Sequence, residues 1–169
     1  MHSFSRKTTT TSTLKAKNLT MKKPLLLSFL VITCYTASAQ FVAKMEIKEP
    51  ISGLCKQEVY ALITGLKGQI PAECSLTKAQ MNEKLNEIQF LKDHPDYNDK
   101  GMMGLIINCK GQVVQCKMDN KTKSPELDSQ IEKVFYSFTE WTPGKLKKKN
   151  VDTSKLFSFK IENGKIMIN

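Results

Sequence analysis

The chain has 169 residues, and its twenty-six lysines and arginines against sixteen acids give a net charge of +10 that would suit a nucleic-acid partner. The distribution removes that reading. Arg6, Lys7, Lys15, Lys17, Lys22 and Lys23 precede Phe41 while all sixteen acids follow it, so the remainder nets only +4, without one arginine to grip phosphates or base edges.

The front of the chain has the order of an export signal: Lys22 and Lys23, an apolar run from Leu25 to Thr36, then Ala37-Ser38-Ala39. That run is about a dozen residues long and is broken by Ser28, Thr33 and Thr36, whereas a spanning helix needs roughly twenty. Cleavage before Gln40 is therefore expected over a retained anchor. Cys34 follows Val31-Ile32-Thr33 rather than small residues, which argues against lipid attachment. Residues 1–20 are Thr-rich, and Met21 begins a compact signal by itself, so the segment is either an extended n-region or precedes the true start. The expected organisation is a leader and signal over 1–39 and one domain over 40–169, in which 40–74 is an N-terminal extension.

In chain order, Phe41 to Gly53 reads as an extended lead, and Glu58 to Leu66 as either a strand or a short helix closed by Gly65 and Gly68. Ser75 is the expected N-cap of a helix running to Lys92, with Leu76, Ala79, Met81, Leu85, Ile88 and Leu91 at helical spacing. The helix stops before His94-Pro95, and Asp96 to Gly101 forms a polar loop. Met102 to Ile107 and Gln112 to Met118 read as a β-hairpin, with Gly111 at the position needing positive φ. A second amphipathic helix over Glu126 to Phe138 aligns Leu127, Ile131, Val134, Phe135 and Phe138. Trp141-Thr142-Pro143-Gly144 ends it. A lysine-rich loop follows, then a strand from Leu156 to Ile161, a turn at Asn163-Gly164 and a short strand from Ile166 to Ile168. This pattern predicts an α+β domain, a small antiparallel sheet with two amphipathic helices on one face.

Four cysteines follow the signal, Cys55, Cys74, Cys109 and Cys116, and export makes two disulfides the first reading, with three connectivities open. No tight C-x-x-C pair supports a metal site. Cys109 and Cys116 lie on the two strands of the hairpin, with Cys116 opposite about Met103 to Leu105, too far along the ladder to bridge each other. Each should pair with Cys55 or Cys74. Catalytic residues are not assigned: His94 is the single histidine after the signal, and Asp96, Asp99, Glu126 and Asp128 read as loop solvation and helix N-terminal charge. Neither a phosphate-binding glycine loop nor a cofactor motif is present, so no enzyme activity and no cofactor are expected.

From about Lys78 to Ile161 the residues resemble the C-terminal domain of TonB. The resemblance is carried by Asp99-Lys100-Gly101 before Met103-Gly104-Leu105-Ile106-Ile107, by Lys110-Gly111-Gln112-Val113-Val114, by Pro125-Glu126-Leu127-Asp128 opening a helix, and by Trp141-Thr142-Pro143-Gly144-Lys145. Gly111, Leu127, Asp128, Trp141, Pro143 and Gly144 form its structural signature. The departures are the cysteines, the segment from Cys55 to Cys74, and a lead that lacks the long Pro-rich stretch by which TonB spans a periplasm. The resemblance implies a stand-alone, periplasmic or secreted module of a gram-negative envelope that binds a protein or peptide by strand addition, without a transducer anchor. Leu156, Phe157, Ser158, Phe159, Lys160 and Ile161 are the expected binding edge; alternation also allows Phe157, Phe159 and Ile161 to be core, and Trp141 a core anchor. The alternative is an accessory structural secreted protein whose Lys145-Leu146-Lys147-Lys148-Lys149 run touches glycan or membrane surface.

Overall fold

A computed structural model describes residues 41–169; the expected signal and its cleavage site lie outside the described residues. The elements in order are β1 (Ala43–Met45), β2 (Val59–Ala61), β3 (Gln69–Ile70), β4 (Glu73–Cys74), α1 (Lys78–Leu85), α2 (Gln89–Asp93), β5 (Asp99–Ile107), β6 (Val113–Asn120), α3 (Pro125–Tyr136), β7 (Trp141–Thr142), β8 (Lys145–Leu146), β9 (Lys149–Asn150), β10 (Asp152–Glu162) and β11 (Lys165–Ile168). The class is α+β. A six-stranded sheet runs β1-β2-β10-β5-β6 with β11 also on β10, every pairing antiparallel except that of β2 with β10. Two small sheets, β3-β8-β9 and β4-β7, stand beside it.

Alternation along β5 and β10 sets the core. Met103, Leu105 and Ile107 of β5 and Phe159 and Ile161 of β10 are buried with Leu127, Ile131 and Phe135 of α3, Met81 and Leu85 of α1, Leu91 of α2 and Ile166 and Ile168 of β11. The helices therefore cover one face of the sheet. Helix α3 begins as its sequence suggests: Ser124 Oγ accepts from Leu127 N, Pro125 sits in the first turn where its missing N–H costs nothing, and Glu126 and Asp128 meet the positive helix end.

The first helix differs from expectation in two respects. Thr77, not Ser75, is the N-cap, in a reciprocal capping box with Gln80; Ser75 instead hydrogen-bonds Glu140 through both its N–H and its hydroxyl. The single helix to Lys92 is also two. Asn86 ends α1 because its side-chain amide is engaged elsewhere, donating to the Ile166 carbonyl and accepting from the Ile166 N–H of β11. Ile88 is extended at ψ 125 before α2 starts.

The segment from Glu58 to Leu66, left open between strand and helix, forms the short strand β2, and the lead supplies β1 beside it. The hairpin is as expected and longer. Leu105 faces Cys116, and Gly111 turns at φ +80. A Cβ on Gly111 would stand 2.2 Å from the Trp141 carbonyl oxygen and 3.5 Å from Pro143 Cδ, so the structure brings three of the signature residues into contact. Leu127 and Asp128 are buried, and Gly144 packs against Thr153. The lysine-rich stretch, expected as a loop, is the hairpin β8-β9.

One disulfide joins Cys55 to Cys109 with Cα atoms 6.0 Å apart, while Cys74 and Cys116 are free thiols, which corrects the expectation of two bridges. Cys109, which lies in the hairpin turn and not on a strand as expected, pairs with Cys55, one of the two partners expected for it; Cys116 is held inward under α3 and meets no second cysteine. Buried Asp152 braces the bridge, one carboxylate oxygen accepting from Cys109 N at 2.7 Å and the other from Lys56 N at 2.8 Å.

Reducing this disulfide should lower the unfolding free energy by up to about 4 kcal/mol, the chain-entropy figure for its 54-residue separation; urea unfolding with and without reductant measures it. Gly111→Ala should cost more than about 2 kcal/mol, because the left-handed φ and the Trp141 carbonyl oppose it together. Gly65→Ala, at φ +87 with open space around it, should cost only about 1 kcal/mol. Equal losses in thermal melts would show that the Trp141 contact contributes nothing.

Candidate functional site

A sheet offers its main chain only where no neighbour has taken it, so the free edges decide what can dock. On β10, the side facing β5 is paired throughout, from Thr153 to Ile161. The opposite side is paired at both ends. There β2 takes Asp152 and Thr153, β11 takes Phe159 to Glu162, and Asn169 N donates to the Ser158 carbonyl. Between these ends, among the described residues, Ser154 to Phe157 have no strand beside them. Peptide groups alternate along a strand, so Leu156 turns its N–H and C=O to the same open side as Ser158. The gap is four residues, about 13 Å.

Side chains blunt β11 and one position of β6. Along β11, Asn86 takes the N–H and C=O of Ile166 and Asn82 Oδ1 accepts from Ile168 N at 2.9 Å. On β6, the Met118 N–H donates to the Glu132 carboxylate at 2.8 Å. The expected edge from Leu156 to Ile161 is thus corrected to its first half. Phe159 and Ile161 are core, and Lys160 lies in the β10-β11 pairing with an ion pair to Glu162. Leu156 keeps 60% of its surface exposed.

Beside the gap is a slot of about 410 Å³ with Leu76, Met81 and Phe157 in its lining and Glu73, Cys74 and Lys78 at its sides. Phe157 is held by the rings of Phe135 and Trp141, with centroids 5.3 and 6.2 Å away. Lys155 crosses one end, donating to the Ala72 carbonyl at 2.9 Å and lying 5.8 Å from the Phe157 ring centroid. A larger, more open hollow of about 600 Å³ lies over the start of β5 and the end of β10. Both of its side-chain carboxylates are already committed: Glu162 pairs with Lys160, and Asp99 is held by neighbouring donors. Burial tends to raise its pKa, but donation from the Lys123 and Lys100 N–H groups and from the Tyr97 hydroxyl outweighs that and holds it below the usual carboxylate value.

His94, Asp128 and Glu126, also weighed for chemistry, are occupied in the same way. His94 stacks on Phe90 and donates through Nδ1 to the Phe90 carbonyl at 2.8 Å. Asp128 accepts from the Thr122 N–H and hydroxyl, and Glu126 from Gln130. Cys55, Cys109 and Asp152 bring potential ligand atoms within 4.8 Å of one another, but the two sulfurs are bonded together and both carboxylate oxygens hold main-chain N–H groups. Alternation marked Leu156, Phe157 and Ser158 as part of a strand, and only the family resemblance made that strand an expected edge. The sequence carried no sign of Glu73, Lys78 or Asn169, which reach the slot only through the tertiary fold.

No helix among the described residues is long and apolar enough to cross a membrane. No family model, curated protein or solved structure matches the chain.

The two free thiols should behave differently toward an alkylating reagent. Burial, aided by Glu132, pushes the Cys116 thiol up to about 12, and its sulfur lies 3.5 Å from both Met103 Sδ and the Glu132 carbonyl. In the folded protein Cys116 should react about a thousandfold more slowly than an ordinary thiol near neutral pH, whereas Cys74, at the slot, should be labelled first. Peptide mapping after timed labelling with iodoacetamide reads both.

Proposed function

We propose that the chain is an exported protein-binding module of the cell envelope that accepts a partner segment as an added strand on β10. The observation carrying this reading is the unpaired main chain of Ser154 to Phe157 beside a slot that Leu76, Met81 and Phe157 help to line, while Asn82 and Asn86 cap β11 and Glu132 holds one N–H of β6. Strand addition draws affinity from main-chain hydrogen bonds and selectivity from pockets for alternate side chains. Here Leu156 offers the hydrogen bonds, and the hollow between Met81, Leu76 and Phe157 receives one apolar side chain.

The resemblance of the helix, hairpin, helix and Trp141-Thr142-Pro143-Gly144 element to the TonB C-terminal domain supports the same class of function. Export is supported by the signal-like front of the sequence and by the Cys55–Cys109 bridge, since disulfides persist in oxidising compartments. The reading assigns no catalytic residue and no cofactor.

Leu156→Pro tests the reading directly, because it removes the N–H that faces the slot and leaves the β10-β5 hydrogen bonds in place. Peptides selected on the protein from a random display library should protect the Leu156 amide from hydrogen exchange. Their binding should fall at least about tenfold in the variant, with the melting temperature as a check on folding. Selected peptides that protect other amides, or that bind the folded variant equally well, would sink the proposal.

A further inference from the structure

The pairing of β3 with β8 brings together two segments that are both free of acid, Leu62 to Ala72 and Trp141 to Val151. Ile70 lies opposite Lys145, and Lys147 N donates to the Gly68 carbonyl at 2.7 Å, which sets the turn of the β8-β9 hairpin against the loop carrying Leu66 and Lys67. Lys67, Lys147, Lys148 and Lys149 are exposed, and Lys145 is half-buried. None of the five makes an ion pair among the described residues. Together they exceed the +4 carried by the whole chain after the signal, so the rest of the domain is close to neutral. Leu66 and Ile70 stand among them with 39% and 54% of their surface exposed.

The turn itself shows that these lysines are not filler. Leu146 pairs with Lys149 across a two-residue connection, and Lys147 and Lys148 have φ 49 and 69. Two successive positive φ values mark the tight hairpin turn that favours Asn-Gly. The same chain uses Asn-Gly for the same geometry elsewhere: Asn163 and Gly164 join β10 to β11 at φ 49 and 68. At β8-β9 two lysines occupy left-handed positions that disfavour any side chain with a Cβ, and a strained position kept by a charged residue points to function.

We infer that this projection is a docking surface for anionic phospholipid, with the lysines reaching the headgroup phosphates and Leu66 and Ile70 entering the interface between them. Charge complementarity selects the occupant: a cluster of lysine point charges without arginine suits a diffuse anionic surface, and exposed aliphatic side chains among them suit a bilayer interface better than a hydrated glycan. This surface and the slot on β10 share no residue, so either proposal can fail alone.

The double substitution Lys147→Asn with Lys148→Gly separates folding from binding. It installs the favoured turn, so the melting temperature should rise by about 3–5 °C. At the same time, partition of the full chain onto sedimented vesicles of phosphatidylglycerol and phosphatidylcholine, in roughly 1:2 ratio, should fall by about tenfold or more, and wild-type partition should fall with added salt. Comparing the two chains on the same vesicles cancels any contribution from residues 1–40. Ile70→Ser should weaken the partition that remains at high salt. Equal partition of the two chains, or wild-type partition no greater than onto phosphatidylcholine alone, overturns the inference. Retention on a soluble sulfated polysaccharide without vesicle binding overturns it in favour of a glycan partner.

Discussion

The nine-residue antiparallel pairing of β5 with β10, from Asp99–Ile161 to Ile107–Thr153, positions every other part of the domain. It aligns the buried side chains of both strands on one face, and three helices close over that face. At one end of β10, Asp152 lies opposite Val59 of β2 while its carboxylate grips the two chain segments joined by the Cys55–Cys109 disulfide. At the other end, Asn163-Gly164 returns the chain as β11. The open stretch of β10 is what remains between these two attachments.

That arrangement gives each polar side chain near an edge a specific purpose. Asn82 and Asn86 lie one helical turn apart on α1, so together they can copy the spacing of alternate residues on a strand and close β11. Glu132 does the same for one group of β6 from α3. Uncovered strand edges invite unwanted pairing, and natural sheets block them. Beside the capped β11 the open stretch of β10 is therefore informative, and Leu76, Met81 and Phe157 give the slot next to Leu156 an apolar part that a side chain could fill. The lysine hairpin stands outside this sheet, on the small sheet beside it, and presents charge where the larger sheet presents main chain.

Both proposals are compatible with the envelope location expected from the front of the sequence. A partner strand on β10 and a lipid surface beneath β8-β9 would hold one protein between a membrane and a second protein, using surfaces without a common residue. The disulfide fits such a setting: it ties the lead to the hairpin turn, and its brace, Asp152, is also the first residue of β10.

Local physics was legible in the residue order. The hairpin with Gly111, helix α3, the turn at Asn163-Gly164 and the paired strands around it follow from periodicity, proline and glycine, because each involves neighbours within about a dozen positions. Tertiary contacts decided the rest. Asn86 splits a helix that its apolar spacing would continue, because the β11 backbone it binds is 80 residues away. Cys116 stays a thiol because the pleat turns it under α3, and half of the expected edge is covered because β11 folds back on it. The Lys147-Lys148 turn escapes any propensity rule, since neither residue favours positive φ and the two-residue connection of β8 to β9 places both there. Sequence alone determined the α+β class and most of the core, as burial follows periodicity; which main chain stays open depended on contacts between residues far apart in the chain.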